Sequence, residues 1–118
     1  KRNLLLYKHF KSLLDRHFVE NKSTAFYAKQ INITQHHLNS VLKNMTGKTA
    51  TQVIRARSIL EAKRLLTFTD KTVSEIAASL NYFDSSYFTK IFKMETGIAP
   101  VVFKNRLSEK YPEKSVLI

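Results

Sequence analysis

Residues 81–100 read Asn81-Tyr82-Phe83-Asp84-Ser85-Ser86-Tyr87-Phe88-Thr89-Lys90-Ile91-Phe92-Lys93-Met94-Glu95-Thr96-Gly97-Ile98-Ala99-Pro100. Phe88, Ile91 and Phe92 stand three and four positions apart, the spacing that collects apolar side chains on one face of a helix. Asp84 is of the type that caps a helix N-terminus, and Gly97 can take the left-handed conformation that closes one. Pro100 suits the first turn of a further helix, carried on through Phe103 and Leu107. The stretch therefore predicts a turn, a helix from Ser85, a second turn and a final helix.

Just upstream, Thr72 and Glu75 have the spacing of a capping box. Val73, Ile76, Ala77 and Leu80 follow at i, i+3, i+4 and i+7, so a short helix precedes the turn at Asn81. The same unit occurs earlier in the chain. Ser23 is placed to cap a short helix carrying Ala28 and Ile31, and Thr34 to cap a longer one with Leu38, Val41, Leu42 and Met45 inward. That helix stops at Gly47. Laid side by side, Ala28 meets Ala77, Ile31 meets Leu80, Asn32 meets Asn81, and Leu38 meets Phe88. Val41 then meets Ile91, Leu42 meets Phe92, Lys43 meets Lys93, and Thr46-Gly47 meets Thr96-Gly97. The second turn holds one extra residue, around Tyr82-Phe83. Asn32 and Asn81 sit where such a turn needs a positive φ, and asparagine tolerates that region best among non-glycine residues.

Two short-helix, turn, helix units in register match a duplicated helix-turn-helix, in which one helix braces the backbone and the next enters the major groove. A first amphipathic helix over roughly residues 3–20 presents Leu6, Phe10, Leu13, Leu14 and Phe18. A long helix, from about Thr51 to Leu66, turns Val53, Ala56, Ile59, Leu60, Ala62 and Leu66 inward. The expected fold is all-α, with seven helices. One helix-turn-helix subdomain spans residues 1–48 and another 68–107, joined by a linker helix over 49–67. The tail, 108–118, carries no motif; its Val116-Leu117-Ile118 end would either dock on a neighbour or be disordered.

Composition narrows the function. The chain has 118 residues, with 20 lysines and arginines against 9 acidic residues, for a formal charge of +11. No acidic residue lies between Asn21 and Leu60, where Lys22, Lys29, Lys43, Lys48, Arg55 and Arg57 all occur. Such a balance calls for a polyanionic partner. There is no cysteine, which excludes disulfides, thiolate metal sites and cysteine nucleophiles. The carboxylates are scattered, and Glu75, Asp84 and Asp70 read as caps or turn formers, so no enzyme is expected. His36 and His37 are neighbours on a helix and diverge by about 100°, and His9 and His17 lack a convergent third ligand, so neither a metal nor any other cofactor is expected. No apolar run approaches the roughly 20 residues that span a bilayer. The first helix carries Lys8, Lys11 and Arg16, but its aromatic face is needed to cover a small core, which argues against membrane binding. A cytoplasmic location is expected, and the absence of an initiating methionine suggests a fragment of something longer.

Residues 81–100 resemble the C-terminal signature of the AraC/XylS-type transcription regulators, and Arg57-Ser58-Ile59-Leu60-Glu61-Ala62-Lys63-Arg64-Leu65-Leu66 resembles that family's linker helix. The resemblance covers about residues 5–107. It departs at Asn81, where the family usually has glycine, and at Lys104, where an arginine commonly follows the aromatic residue. In the first unit, Thr24 and Phe26 stand where the second has Val73 and Glu75. The resemblance implies a seven-helix DNA-binding module whose two recognition helices enter successive major grooves. It further implies regulation of transcription, as an activator, with double-stranded DNA and RNA polymerase as partners. A separate sensing or dimerisation domain, absent from this chain, is implied as well.

Removing the apolar stripes leaves the faces that would meet DNA. After Thr34 these are Gln35, His36, Asn39, Ser40 and Lys43; after Asp84 they are Ser85, Ser86, Tyr87, Thr89, Lys90 and Lys93. Residues near a recognition helix N-terminus reach bases, whereas lysines farther along meet phosphate. The expected base contacts are Gln35, His36, Asn39, Ser40, Ser85, Ser86, Thr89 and Lys90. The family's base-reading positions fall on His36, Asn39, Ser40, Ser86, Thr89 and Lys90. Asn39 could pair bidentately with adenine, Lys90 could bond guanine, and Thr89 could touch a thymine methyl. Lys43, Lys93, Arg55 and Tyr87 are the expected phosphate contacts, with packing beside Phe88 the alternative for Tyr87. Arg57 is expected to hold structure rather than DNA. The units agree at buried positions and differ at exposed ones, which favours sequence-specific reading of two half-sites. The alternative is a non-specific basic helical protein that binds RNA or shapes DNA.

Overall fold

The computed structural model describes residues 1–110, and every regular element among them is helical. The helices are α1 (Arg2–His17), α2 (Thr24–Ile31), α3 (Gln35–Thr46), α4 (Ala50–Phe68), α5 (Val73–Ser79), α6 (Ser85–Thr96) and α7 (Pro100–Lys110). The all-α expectation and the order of its elements hold. So do the caps: the side chains of Ser23, Thr34, Thr72 and Asp84 accept the N–H groups of Phe26, His37, Glu75 and Tyr87. Each satisfies an amide that the helix itself leaves without a partner. Glu75 completes the capping box by accepting the Thr72 N–H at 2.8 Å, which holds its carboxyl below the ordinary carboxylate pKa. Gly47 and Gly97 end α3 and α6 at φ 78° and 86°.

The chain divides into two compact units, with the boundary between Ser58 and Ile59 inside α4. In the first, α1 packs on α2 and α3, and α2 on α3. Phe10, Leu14, Tyr27, Leu38 and Leu42 are fully buried, and the Phe10 and Tyr27 rings meet edge to face at 5.5 Å. Burying each such side chain is worth about 1.5–3 kcal/mol. The Tyr27 hydroxyl donates to the Asn21 carbonyl at 2.7 Å, so this buried phenol has its polar tip satisfied. Burial, reinforced by Glu20, pushes its pKa up to about 12. In the second unit α5 packs on α6, and α6 on α7. A run of rings forms its core: Tyr82 lies 5.1 Å from Phe88, Phe88 5.9 Å from Phe92, and Phe92 5.6 Å from Phe103. The Lys104 ammonium donates to the Lys71 carbonyl at 3.1 Å and ties α7 to the segment before α5.

Five details differ from the sequence reading. The first helix stops at His17, and residues 18–20 form a turn. The linker helix is not a piece apart from the subdomains. Its buried residues Ala50, Ile54 and Ser58 belong to the first unit, and Ile59, Ala62, Leu65 and Leu66 to the second. They follow one row at four-residue steps, Ala50, Ile54, Ser58, Ala62 and Leu66, flanked by Ile59 and Leu65; Val53 and Ala56 fall off it half-buried and Leu60 is 60% exposed, where all three were expected inward. Ile31 and Met45 are likewise only half-buried. Finally, α7 continues through Ser108 to Lys110, and the expectation for Val116-Leu117-Ile118 lies outside the described residues.

Candidate nucleic-acid interface

Both turns are built alike. Asn32 and Asn81 take the left-handed conformation at φ 67° and 62°. The next residue closes the turn in each case: Ile33 N–H donates to the Ala28 carbonyl, and Tyr82 N–H to the Ala77 carbonyl, both at 3.0 Å. Ile33 and Tyr82 are thus equivalent, and the extra residue of the second turn is Phe83. The chain then enters α3 through Thr34 and α6 through Asp84, with caps of the same geometry.

Along α3, Gln35, His36, Ser40 and Lys43 are exposed, as the sequence predicts. Asn39 is different. It is half-buried, and its Oδ1 accepts the Ala50 N–H at 2.8 Å. The oxygen that bidentate pairing with adenine would use therefore already accepts one hydrogen bond inside the protein. Along α6, Ser86, Tyr87, Lys90 and Lys93 are exposed, while Ser85 and Thr89 are half-buried. Tyr87 is 47% exposed and leans on Tyr82, with ring centroids 6.2 Å apart.

Among the described residues two arginines are committed to ion pairs: Arg64 donates to both Glu61 oxygens, and Arg57 Nε lies 2.9 Å from an Asp15 oxygen, its guanidinium 4.0 Å over the Phe18 ring. This is the structural role expected of Arg57. Lys43, Lys90, Lys93 and half-buried Arg55 pair with no carboxylate among the described residues. Charge is also uneven between the units. Asp15 and Glu20 are the two carboxylates in residues 1–58, facing eleven lysines and arginines, whereas the rest of the chain is nearly balanced. Positive potential therefore concentrates on the unit holding α3.

Two features went unmarked in the sequence. An open groove of about 470 Å³ runs beside the first turn, lined by Ala25, Ala28, Lys29, Asn32, Thr34 and Gln35 among others. Lys29 at its lip was legible only as one member of the basic run. The other feature is Phe83, whose side chain is 93% exposed. Among the described residues no three histidines or carboxylates gather as metal ligands, and no helix is long and apolar enough to cross a membrane.

Residues 27–106 match the helix-turn-helix domain family typified by the AraC regulators. The chain belongs to the AraC family. This AraC-type domain is 32% identical over 80 residues to the transcriptional activator RhaR of Cronobacter sakazakii, a match that covers 68% of this chain and 28% of RhaR. It is 28% identical over 97 residues to the transcriptional regulator YisR of Bacillus subtilis, covering 82% of this chain and 34% of YisR. The chain thus spans about a third of the length of these relatives. Among solved structures, its fold is similar to the DNA-binding domain of AdpA in complex with a target DNA, with a TM-score of 0.80 and 19% identity, covering 92% of this chain and 96% of that one. An AraC-type regulator from Chromobacterium violaceum also gives a TM-score of 0.80, at 17% identity, covering 89% and 94%. At these identities the likeness is one of fold.

Proposed function

We propose that this AraC-type domain reads two half-sites of duplex DNA, α3 entering one major groove and α6 the next, and so activates transcription. The observation that carries the reading is the doubled unit: the same left-handed asparagine and the same capped helix occur twice, with different exposed side chains on α3 and α6. Gln35, His36 and Ser40 on α3, with Ser85, Ser86, Thr89 and Lys90 on α6, are the base readers. Lys43, Lys93, Arg55 and Tyr87 hold phosphates, with Lys29 joining them at the first turn. Asn39 serves by positioning α3. The DNA complex of AdpA and the activator function in the name of RhaR support the same assignment. In the full-length protein a sensing or dimerisation domain and a contact with RNA polymerase complete the activator.

Selection of bound duplexes from a random pool, followed by footprinting, tests this. The expected result is two distinct half-sites about 10 base pairs apart, each protected on its major-groove edge. In that site Lys90→Ala relaxes the preference at one base position, at a cost of about 1–3 kcal/mol. A pool that returns no consensus overturns the reading and leaves the non-specific basic binder.

A further inference from the structure

Phe83 is the residue that the second turn has and the first does without. The first unit passes from Ile33 directly to the cap Thr34; the second inserts Phe83 between Tyr82 and Asp84 and otherwise repeats the turn, hydrogen bond for hydrogen bond. The fold therefore does not require it. A hydrophobic residue just before an N-cap commonly packs on the fourth residue of the helix as a staple, which here would be Phe88. Tyr82 already makes that contact, with ring centroids 5.1 Å apart. Phe83 meets no ring among the described residues and stands 93% exposed. Leaving a phenylalanine in water forgoes most of the stabilisation its burial would bring.

Its place says what it meets. Phe83 immediately precedes Asp84, whose carboxylate caps α6, and the exposed Ser86, Tyr87 and Lys90 follow within two turns. A recognition helix presents this end to base edges. An apolar side chain there has one matching feature in the major groove, the thymine C5-methyl group. We infer that Phe83 is a specificity-determining residue that packs on a thymine methyl at the edge of the α6 half-site. This rests on the proposed DNA-reading function and adds to it a base preference set by an apolar contact outside the helix.

The test uses the site recovered from the random pool, with each thymine replaced singly by deoxyuridine. The unaltered domain should lose roughly fivefold or more in affinity at one thymine of the α6 half-site when its methyl is removed. Phe83→Ala should bind the thymine and uracil duplexes equally, both at the weakened level. Phe83→Leu should restore part of the discrimination. The salt dependence should stay unchanged in both variants, because an apolar contact displaces no counterion from phosphate. Thermal unfolding should be unchanged as well, since the ring does not pack. Full affinity of Phe83→Ala on every duplex, with Lys90→Ala still impaired, would overturn the inference and leave the DNA reading standing. Loss of transcriptional activation by Phe83→Ala with undiminished DNA affinity would overturn it in favour of a protein partner. If Lys90→Ala and Phe83→Ala are both without effect, the DNA reading falls and the inference with it.

Discussion

The Oδ1 of Asn39 accepts the backbone N–H of Ala50 at 2.8 Å, which fastens α3 to the first turn of α4. Ala50 is fully buried, so water cannot replace this bond. The position equivalent to Ala50 in the second unit is Pro100, which has no N–H to satisfy. Thr89, the counterpart of Asn39, therefore has no equivalent N–H to accept.

Asn39→Ala should therefore destabilise the protein by about 1–3 kcal/mol, the cost of a buried amide left without an acceptor. Asn39→Asp keeps the acceptor and should keep most of the stability. Thr89→Ala should change stability by less than about 0.5 kcal/mol while altering base preference. Urea unfolding of the three variants, beside the selected DNA site, separates the two roles.

Lys43 and Lys93 occupy matching places in α3 and α6, and both are exposed without an acidic partner among the described residues. Lys43→Ala and Lys93→Ala should each weaken binding to all duplex sequences alike. Each should lower the slope of log affinity against log salt by about 0.9, one phosphate's share. Titrations at several salt concentrations, on specific and scrambled duplexes, measure both effects.

Tyr27 supplies a test at alkaline pH. The folded protein holds the phenolic proton more tightly than the unfolded chain, whose tyrosine titrates near 10.0, because burial disfavours the phenolate and Glu20 adds to the effect. Its contribution is complete below pH 10.0 and disappears as the pH rises through about 12. Tyr27→Phe should cost about 1 kcal/mol at neutral pH, from the lost bond to the Asn21 carbonyl. The gap between the two proteins should then close over the alkaline range, as followed by urea midpoints.

Glu75 acts at the other end of the scale. Its carboxylate accepts the Thr72 N–H and so titrates below its ordinary value of 4.5. The stability this contributes is present above the unfolded value and lost as the pH falls through the folded one. Glu75→Gln retains an acceptor and removes the charge. The stability lead of the unaltered protein over this variant should be constant at neutral pH and shrink on acidification, in thermal melts between about pH 6 and 3.

Much of this protein is decided by interactions within a few residues of chain. Ser23, Thr34, Thr72 and Asp84 cap their helices wherever those helices pack, because the amides they satisfy lie three residues away. Asn32 and Asn81 take positive φ because a turn of this length admits little else. The apolar stripes of α3 and α6 were legible for the same reason, and subtracting them left most of the exposed face correct.

Tertiary structure alone decided what depends on partners far along the chain. Which side of α4 is buried could not be read from hydropathy alone, since polar Ser58 lies on the buried row while apolar Val53, Ala56 and Leu60 lie off it, with Leu60 emerging into solvent. That the oxygen of Asn39 bonds Ala50, eleven residues on, follows from how α3 meets the start of α4. Tyr82 rather than Phe83 covers Phe88, because both residues of the lengthened turn are apolar and only the packed ring run shows which one it accepts. Hydrogen bonds to the nearest amides are fixed by sequence distance; the choice between equally apolar or equally polar side chains is made by the surface that closes over them.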